Sequence, residues 1–343
     1  MKTYKNLWDE FISRENFDLA VKKAVKSKKN KKQTRVFLEN KDALIEKLRN
    51  DLIHDNFQTS KYRIFNVYEP KKREIYELPL YPDHIVHHAL INVLGPIWQR
   101  RFIKDSYACI PGRGIHSAAQ RAMRFVKKHK YVLQCDIRKF YPSIDHNIMM
   151  NIIAKKIHDR KILRLLKKIV FSLPGGKNLP IGNLTSQWMG NLYLTELDLF
   201  IKQRLGCKCY LRYSDDFCVF HNDKGFLNSI KSDIRMFVEQ NLNLKLSKSA
   251  LIQTEGLTFV GFRLFRKFIL LRQRTVKKIK RRISSILING VWSDKIRASL
   301  ASTVGIMRWA KTYNLKQQIK IPNLGIFISI QLQPLLRNNR PGQ

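Results

Sequence analysis

Apolar residues recur at three- and four-residue spacing through residues 4–56, a helical period broken by a basic run at 22–35. Residues 62–80 switch to a strand-like mixture, with Ile64, Val67 and Ile75 among turn formers. A helical pattern returns at 82–101, where Pro82 suits the first turn and Gly95-Pro96 is expected to interrupt or end the helix. Gly112-Arg113-Gly114 reads as a loop before another helix at 117–129. Tyr131-Val132-Leu133-Gln134-Cys135-Asp136 has the look of a short buried strand that closes on an acid. One or two helices are expected over 147–171, a turn at Pro174-Gly175-Gly176, and helices at 186–204 and 226–240, with Thr185 or Ser186 capping the first of that pair. Between them, Tyr210-Leu211-Arg212-Tyr213 and Phe217-Cys218-Val219-Phe220 read as two strands joined by a very short turn. This order predicts an α+β fold, an antiparallel sheet backed by helices rather than a doubly wound parallel sheet.

The short turn carries Ser214-Asp215-Asp216. Alone, two adjacent acids read as a solvated turn, since Ser and Asp are common there. Between apolar strands they repel each other, and burying them is costly unless a cation neutralises them. Asp136 changes the balance, because an acid ending an apolar strand is a poor choice for stability alone. Carboxylates from separate strands are what two-metal nucleotidyl transfer needs, and hard cations such as Mg²⁺ prefer carboxylate oxygen. Asp145 follows Ser143-Ile144 at an expected helix start, where an acid favours the dipole, and is set aside as a ligand.

Asp136 with Phe140-Tyr141, and Tyr213-Ser214-Asp215-Asp216, resemble motifs A and C of reverse transcriptases. Pro180-Ile181-Gly182-Asn183-Leu184-Thr185-Ser186-Gln187 resembles motif B, Leu242-Asn243-Leu244-Lys245-Leu246-Ser247 motif D, and Leu257-Thr258-Phe259-Val260-Gly261-Phe262 the hairpin of motif E. Upstream, Tyr68-Glu69-Pro70-Lys71-Lys72-Arg73 and Asp83-His84-Ile85-Val86-His87-His88-Ala89-Leu90 resemble the fingers motifs of bacterial members, so the likeness runs over about residues 65–265. It implies a right-hand polymerase: an N-terminal segment and fingers in 1–130 (with part of 146–180), a palm in 131–265 and a basic helical thumb in 266–343. It implies catalytic Asp136, Asp215 and Asp216 holding two Mg²⁺ ions, with Mn²⁺ as a substitute and the Ile137 carbonyl as a further ligand. Lys71 and Arg73 would clamp the dNTP triphosphate, and Tyr141 would block a ribose 2′-hydroxyl unless it is simply a core aromatic. Gly182 would let backbone approach the nucleotide or template closely, beside Ile181. Ser186, Gln187 and Gly261 would meet template or primer. No separate RNase H or endonuclease domain is expected, because the thumb takes up the chain from about residue 273.

Most reverse transcriptases carry Gln before the motif B glycine, and Ser-Pro where this chain has Ser186-Gln187. The form here resembles the enzymes of diversity-generating retroelements, as does Tyr107-Ala108-Cys109. That likeness implies copying of a template RNA into DNA with errors at adenines, and a basic oligomeric accessory protein as partner. Ile181 cannot hydrogen-bond the incoming nucleotide as Gln can, which would loosen mismatch discrimination; equally, Ile181 could pack under the fingers. Other classes stay open: a group II intron-like or retron-like enzyme, or a non-catalytic RNA-binding protein.

Charge supports a polyanionic partner. The 343 residues hold 65 Lys+Arg against 26 Asp+Glu, a formal net charge of +39, far beyond what solubility requires. From residue 256 onward there are 18 Lys+Arg and one acid, Asp294, with Ile279, Ile283, Ile286, Leu287 and Ile288 interspersed as in amphipathic helices. Trp292 and Trp309 could stack on bases or pack in a core. His84, His87 and His88 suit packing or phosphate contact better than a metal. No run is apolar enough for a membrane span or signal peptide, and the five Cys fit free thiols in a reducing, cytoplasmic setting.

Overall fold

The computed structural model describes residues 3–26, 28–68, 72–289 and 294–318. Lys71 and Trp292 lie outside the described residues, as does the last part of the expected thumb. Nine strands are present among the described residues: β1 (Arg63–Val67), β2 (Arg73–Glu77), β3 (Tyr131–Ile137), β4 (Tyr210–Tyr213), β5 (Asp216–His221), β6 (Leu246–Gln253), β7 (Leu257–Phe259), β8 (Phe262–Leu264) and β9 (Ile269–Leu271). They form an antiparallel β1–β2 hairpin, a four-stranded antiparallel sheet in the order β4-β5-β3-β6, and a three-stranded antiparallel sheet β7-β8-β9. Helices surround them, so the fold is α+β, as the pattern of elements predicts.

The period-two alternation of β3 splits it between two cores. Leu133, Cys135 and Ile137 enter a large cluster that runs from Leu7 to Leu244 and takes in the N-terminal helices. Val132 enters a smaller cluster with Phe220, the β7–β9 sheet and the helices Ile115–Lys128 and Gln273–Asn289. Ile279 and Ile283 are buried there, which accounts for the apolar spacing of that basic helix. Gln134 points to the same side and donates from Nε2 to the Thr258 carbonyl (3.0 Å), tying the central sheet to the β7–β9 sheet.

Two local expectations are corrected. The helix Ile85–Gln99 continues through Pro96. An interior proline costs about 3 kcal/mol, but each large apolar side chain buried returns about 1.5–3 kcal/mol, and Leu90, Val93, Leu94, Ile97 and Trp98 are all buried. The region 147–171 forms two helices, His146–Ala154 and Arg160–Val170, the second of the two alternatives expected there. The helix expected at 186–204 starts earlier, as Leu184–Leu199, and continues as a π-helical turn, Phe200–Arg204, to the expected end; its N-cap is Asn183, with no side-chain capping bond, and neither Thr185 nor Ser186 caps it. Asp145 does cap a helix, accepting from the Asn147 and Ile148 amides (3.0 and 3.2 Å). Among the described residues no helix is long and apolar enough to cross a membrane.

Candidate active site

Asp136 ends β3 directly opposite Asp216, the first residue of β5. Antiparallel partners are about 5 Å apart at Cα, so the two carboxylates share one face, the face of Val132, Gln134, Cys218 and Phe220. Asp215 is adjacent, in the turn between β4 and β5. All three acids are half-buried. Burial first, then the charges of Asp136 and Asp215, push the Asp216 carboxyl up to about 7, while Lys248 pulls the other way. Burial and the Asp136 charge also raise Asp215, and Arg73 lowers it.

As the side chains stand, no group of three His, Cys, Asp or Glu among the described residues is already arranged as a metal cluster. Asp136 and Asp216 instead stand as facing partners, and two acids this close favour a retained proton on Asp216. The donor set itself, three hard oxygen ligands with a surplus of negative charge, suits a divalent cation. Ser247 donates its hydroxyl to the Asp136 side chain. Lys248 sits opposite Asp136 on β6 and bonds Gln134 Oε1 (2.8 Å).

The other expected residues fall at differing distances from this centre. Tyr141 comes in on the short helix Phe140–Ser143, and its phenol is pushed up by burial and by Cys109 and Asp215. Its ring rests on Gly190, where an added Cβ would lie 3.2 Å from both Phe140 and Tyr141. Arg73 is exposed at the start of β2 and within electrostatic reach of Asp215. Ile137 is buried, with a bulge separating it from Asp136. Ile181 is half-buried, and its carbonyl accepts from the Tyr76 amide of β2 (2.8 Å). Gly182 has φ +126, and a Cβ there would sit 2.8 Å from the Tyr76 carbonyl. Its freedom from a side chain thus serves a close approach to the β1–β2 hairpin. Helical phase turns Ser186 inward (3% exposed), leaving Gln187 exposed of that pair. Gly261 lies in the β7–β8 turn at φ +88, and a Cβ there would meet nothing within 4 Å. Trp309 stacks on His116 at 4.5 Å and is 41% exposed.

One group of residues escaped sequence reasoning. Arg212 is fully buried on the opposite face of the sheet from Asp136 and Asp216, and forms a bidentate pair with Asp198 (Nε–Oδ1 2.8 Å, Nη2–Oδ2 2.7 Å). Tyr210 donates to the same carboxylate (2.6 Å). The remaining Nη1 bonds Asn191 Oδ1 (3.1 Å) and the Ser214 carbonyl (3.0 Å). Ser214 has φ +57, a left-handed conformation unfavourable for a side chain, so Arg212 grips the strained residue next to Asp215. The one sequence signal was an Arg inside an apolar strand, where a charge needs a partner.

Residues 70–264 match the family described as Reverse transcriptase (RNA-dependent DNA polymerase). The chain belongs to that family. Among curated relatives, this reverse transcriptase is similar to Protein YkfC of Escherichia coli (strain K12), 25% identical over 275 residues that cover 64% of this chain and 71% of that one. It is similar to Group II intron-encoded protein LtrA of Lactococcus lactis subsp. cremoris, 27% identical over 144 residues, covering 39% of this chain and 24% of LtrA. Among solved structures, apo telomerase from Candida Tropicalis aligns at a TM-score of 0.47 with 14% identity, covering 71% of this chain and 57% of that one. The reverse transcriptase thus spans well under two thirds of LtrA and of the telomerase chain.

Proposed function

We propose that the protein copies a template RNA into DNA from a primer 3′-hydroxyl, with its chemistry at Asp136, Asp215 and Asp216. The observation that carries this is Asp136 facing Asp216 with Asp215 alongside, where the two central strands of the sheet end. Divalent ions held there by the three acids and the Ile137 carbonyl, Mg²⁺ with Mn²⁺ as substitute, would activate the attacking hydroxyl and neutralise the pyrophosphate. The chain's own groups do the rest. Arg73, together with Lys71, binds the triphosphate; Tyr141, its ring against Gly190, excludes a 2′-hydroxyl; Gln187 meets the template and the Gly261 turn the primer. In this reading residues 1–130 supply the fingers, 131–265 the palm, and the chain from 266 the thumb. Asp215→Asn tests it: Mg²⁺-dependent dNTP incorporation on a primed RNA should disappear while RNA binding persists. Incorporation that survives would overturn the assignment, and a protein that only binds RNA would show none in either form.

We further propose membership of the diversity-generating retroelement class, supported by Ile181 and Ser186-Gln187 in motif B. A half-buried Ile181, carbonyl-bonded to the fingers hairpin, offers no side-chain hydrogen bond to the incoming base. Ile181→Gln should lower misincorporation opposite template adenine, read by sequencing the cDNA. Unchanged adenine errors with polymerisation intact would refute it. Such an enzyme would work with a basic oligomeric accessory protein, which this basic chain would meet through acidic patches such as Asp9-Glu10 or through shared RNA. A group II intron-like role is the second reading, favoured by the similarity to LtrA.

A further inference from the structure

The helix Leu184–Leu199 begins without a side-chain cap. Asn183 turns its amide to the Tyr62 hydroxyl instead (3.2 Å). The first backbone N–H groups of this 16-residue helix therefore lack a side-chain acceptor, and they carry the positive end of its dipole. A cavity of about 150 Å³ lies against this end, bounded there by Gly182, Leu184 and Gln187. Its other wall is Lys28 with His84, His87 and His88, which joins the basic N-terminal run to the histidine cluster.

The wall brings together an ammonium and three imidazoles. Lys28 Nζ lies 3.3 Å from His84 Nδ1; with the ammonium donating, His84 keeps its proton on Nε2. His87 is 1% exposed, and its Nδ1 meets Thr185 Oγ1 at 3.4 Å. Its Nε2 is buried with no hydrogen-bond partner among the described residues, and with Thr185 donating to Nδ1 it is an unpaired donor. Leaving such a group unmet costs about 1–3 kcal/mol. No carboxylate lines the cavity. Glu77, which attracts Lys28, is itself paired with Arg63 (2.5 Å), and Lys31 adds a repelling charge.

We propose that this cavity binds a backbone phosphate of the template RNA. An uncapped helix N-terminus with an ammonium and imidazole N–H groups is a general anion site. The anion is not the triphosphate of the incoming nucleotide. Gly182 of the cavity touches Tyr76 near the Glu77 end of β2, whereas Arg73 starts the other end, and those ends are about 13 Å apart at ~3.3 Å per strand residue. The inference rests on the polymerase reading, in which unpaired template enters on the fingers side and product duplex leaves along the β7–β9 side.

The experiment compares two probes by fluorescence anisotropy at several salt concentrations: a primer–template with a single-stranded 5′ template overhang, and a blunt duplex of the same paired length. Lys28→Gln should weaken binding of the overhang probe and reduce the magnitude of its salt slope by about 0.7, one phosphate on a single strand, with blunt-duplex binding unchanged. Gln187→Glu, which brings a negative charge to the cavity, should weaken the same probe. Melting temperatures confirm that both variants are folded. Equal losses on both probes, no loss on either, or an increase in dNTP KM with overhang binding unaltered would each overturn the proposal. Running the series in Asp215→Asn separates it from the polymerase reading, because that protein reports the phosphate contact without turnover.

Discussion

Arg212 and Asp198 face each other with both side chains 0% exposed. Such a pair is a weak source of net stability but expensive to break, because the survivor keeps its charge without water. Asp198→Asn leaves Arg212 in that position. The expected loss is about 3–5 kcal/mol, read by denaturant unfolding with an unchanged m-value. The residues under the sheet also set what lies above it, since Arg212 reaches past Asp198 to the Ser214 carbonyl. The acids were legible in the sequence because a charge closing an apolar run is conspicuous. Their support was not, because Asp198 and Asn191 lie in a helix where nothing in the spacing distinguishes an inward polar residue from a solvated one.

At the scale of elements, the helix Ile85–Gln99 and the turn before it carry His84, His87 and His88. Burial pulls their pKa values down from 6.5 to about 4, 3 and 4. A base that is neutral in the fold and titrates normally when unfolded takes up protons on unfolding between those two values. Its contribution is therefore complete above about pH 6.5 and is lost progressively as pH falls toward 3. Thermal melts from pH 7.5 to 5 should show falling stability, and His87→Gln should flatten the fall; a parallel curve would refute this assignment. Strands β1 to β5 and most helices were readable from the sequence pattern, whereas β7–β8 came only from the motif E resemblance and β6 and β9 were missed. Helix ends and the Pro96 segment were not readable, because tertiary burial and unmade capping bonds leave no local trace. Gly182 was legible as a place where a Cβ is excluded, but its neighbour, the Tyr76 carbonyl, is more than a hundred residues earlier in the chain.

For the whole molecule, a net charge of +39 makes nucleic-acid affinity a steep function of ionic strength. If at least five phosphates are neutralised, the log–log slope on single-stranded RNA should be steeper than about −3.5. Anisotropy titrations between 50 and 200 mM salt measure it, a slope of about −3.5 being a loss of about 130-fold in affinity over that range. A slope near zero would show that the charge is a solvated surface and not a binding face. Asp215→Asn should leave the slope unaltered, since it alters the chemistry and not the basic tracks.

The central strand β3 pairs only with strands that come later, β5 and β6. During synthesis it emerges with Val132, Leu133, Cys135 and Ile137 in place, and waits for about 80 more residues at roughly 5–20 residues per second. For several seconds both of its edges are open and its apolar side chains unmatched. The nascent chain is then a ready template for pairing with a neighbour, so a ribosome carrying it needs a chaperone more urgently than the finished protein does.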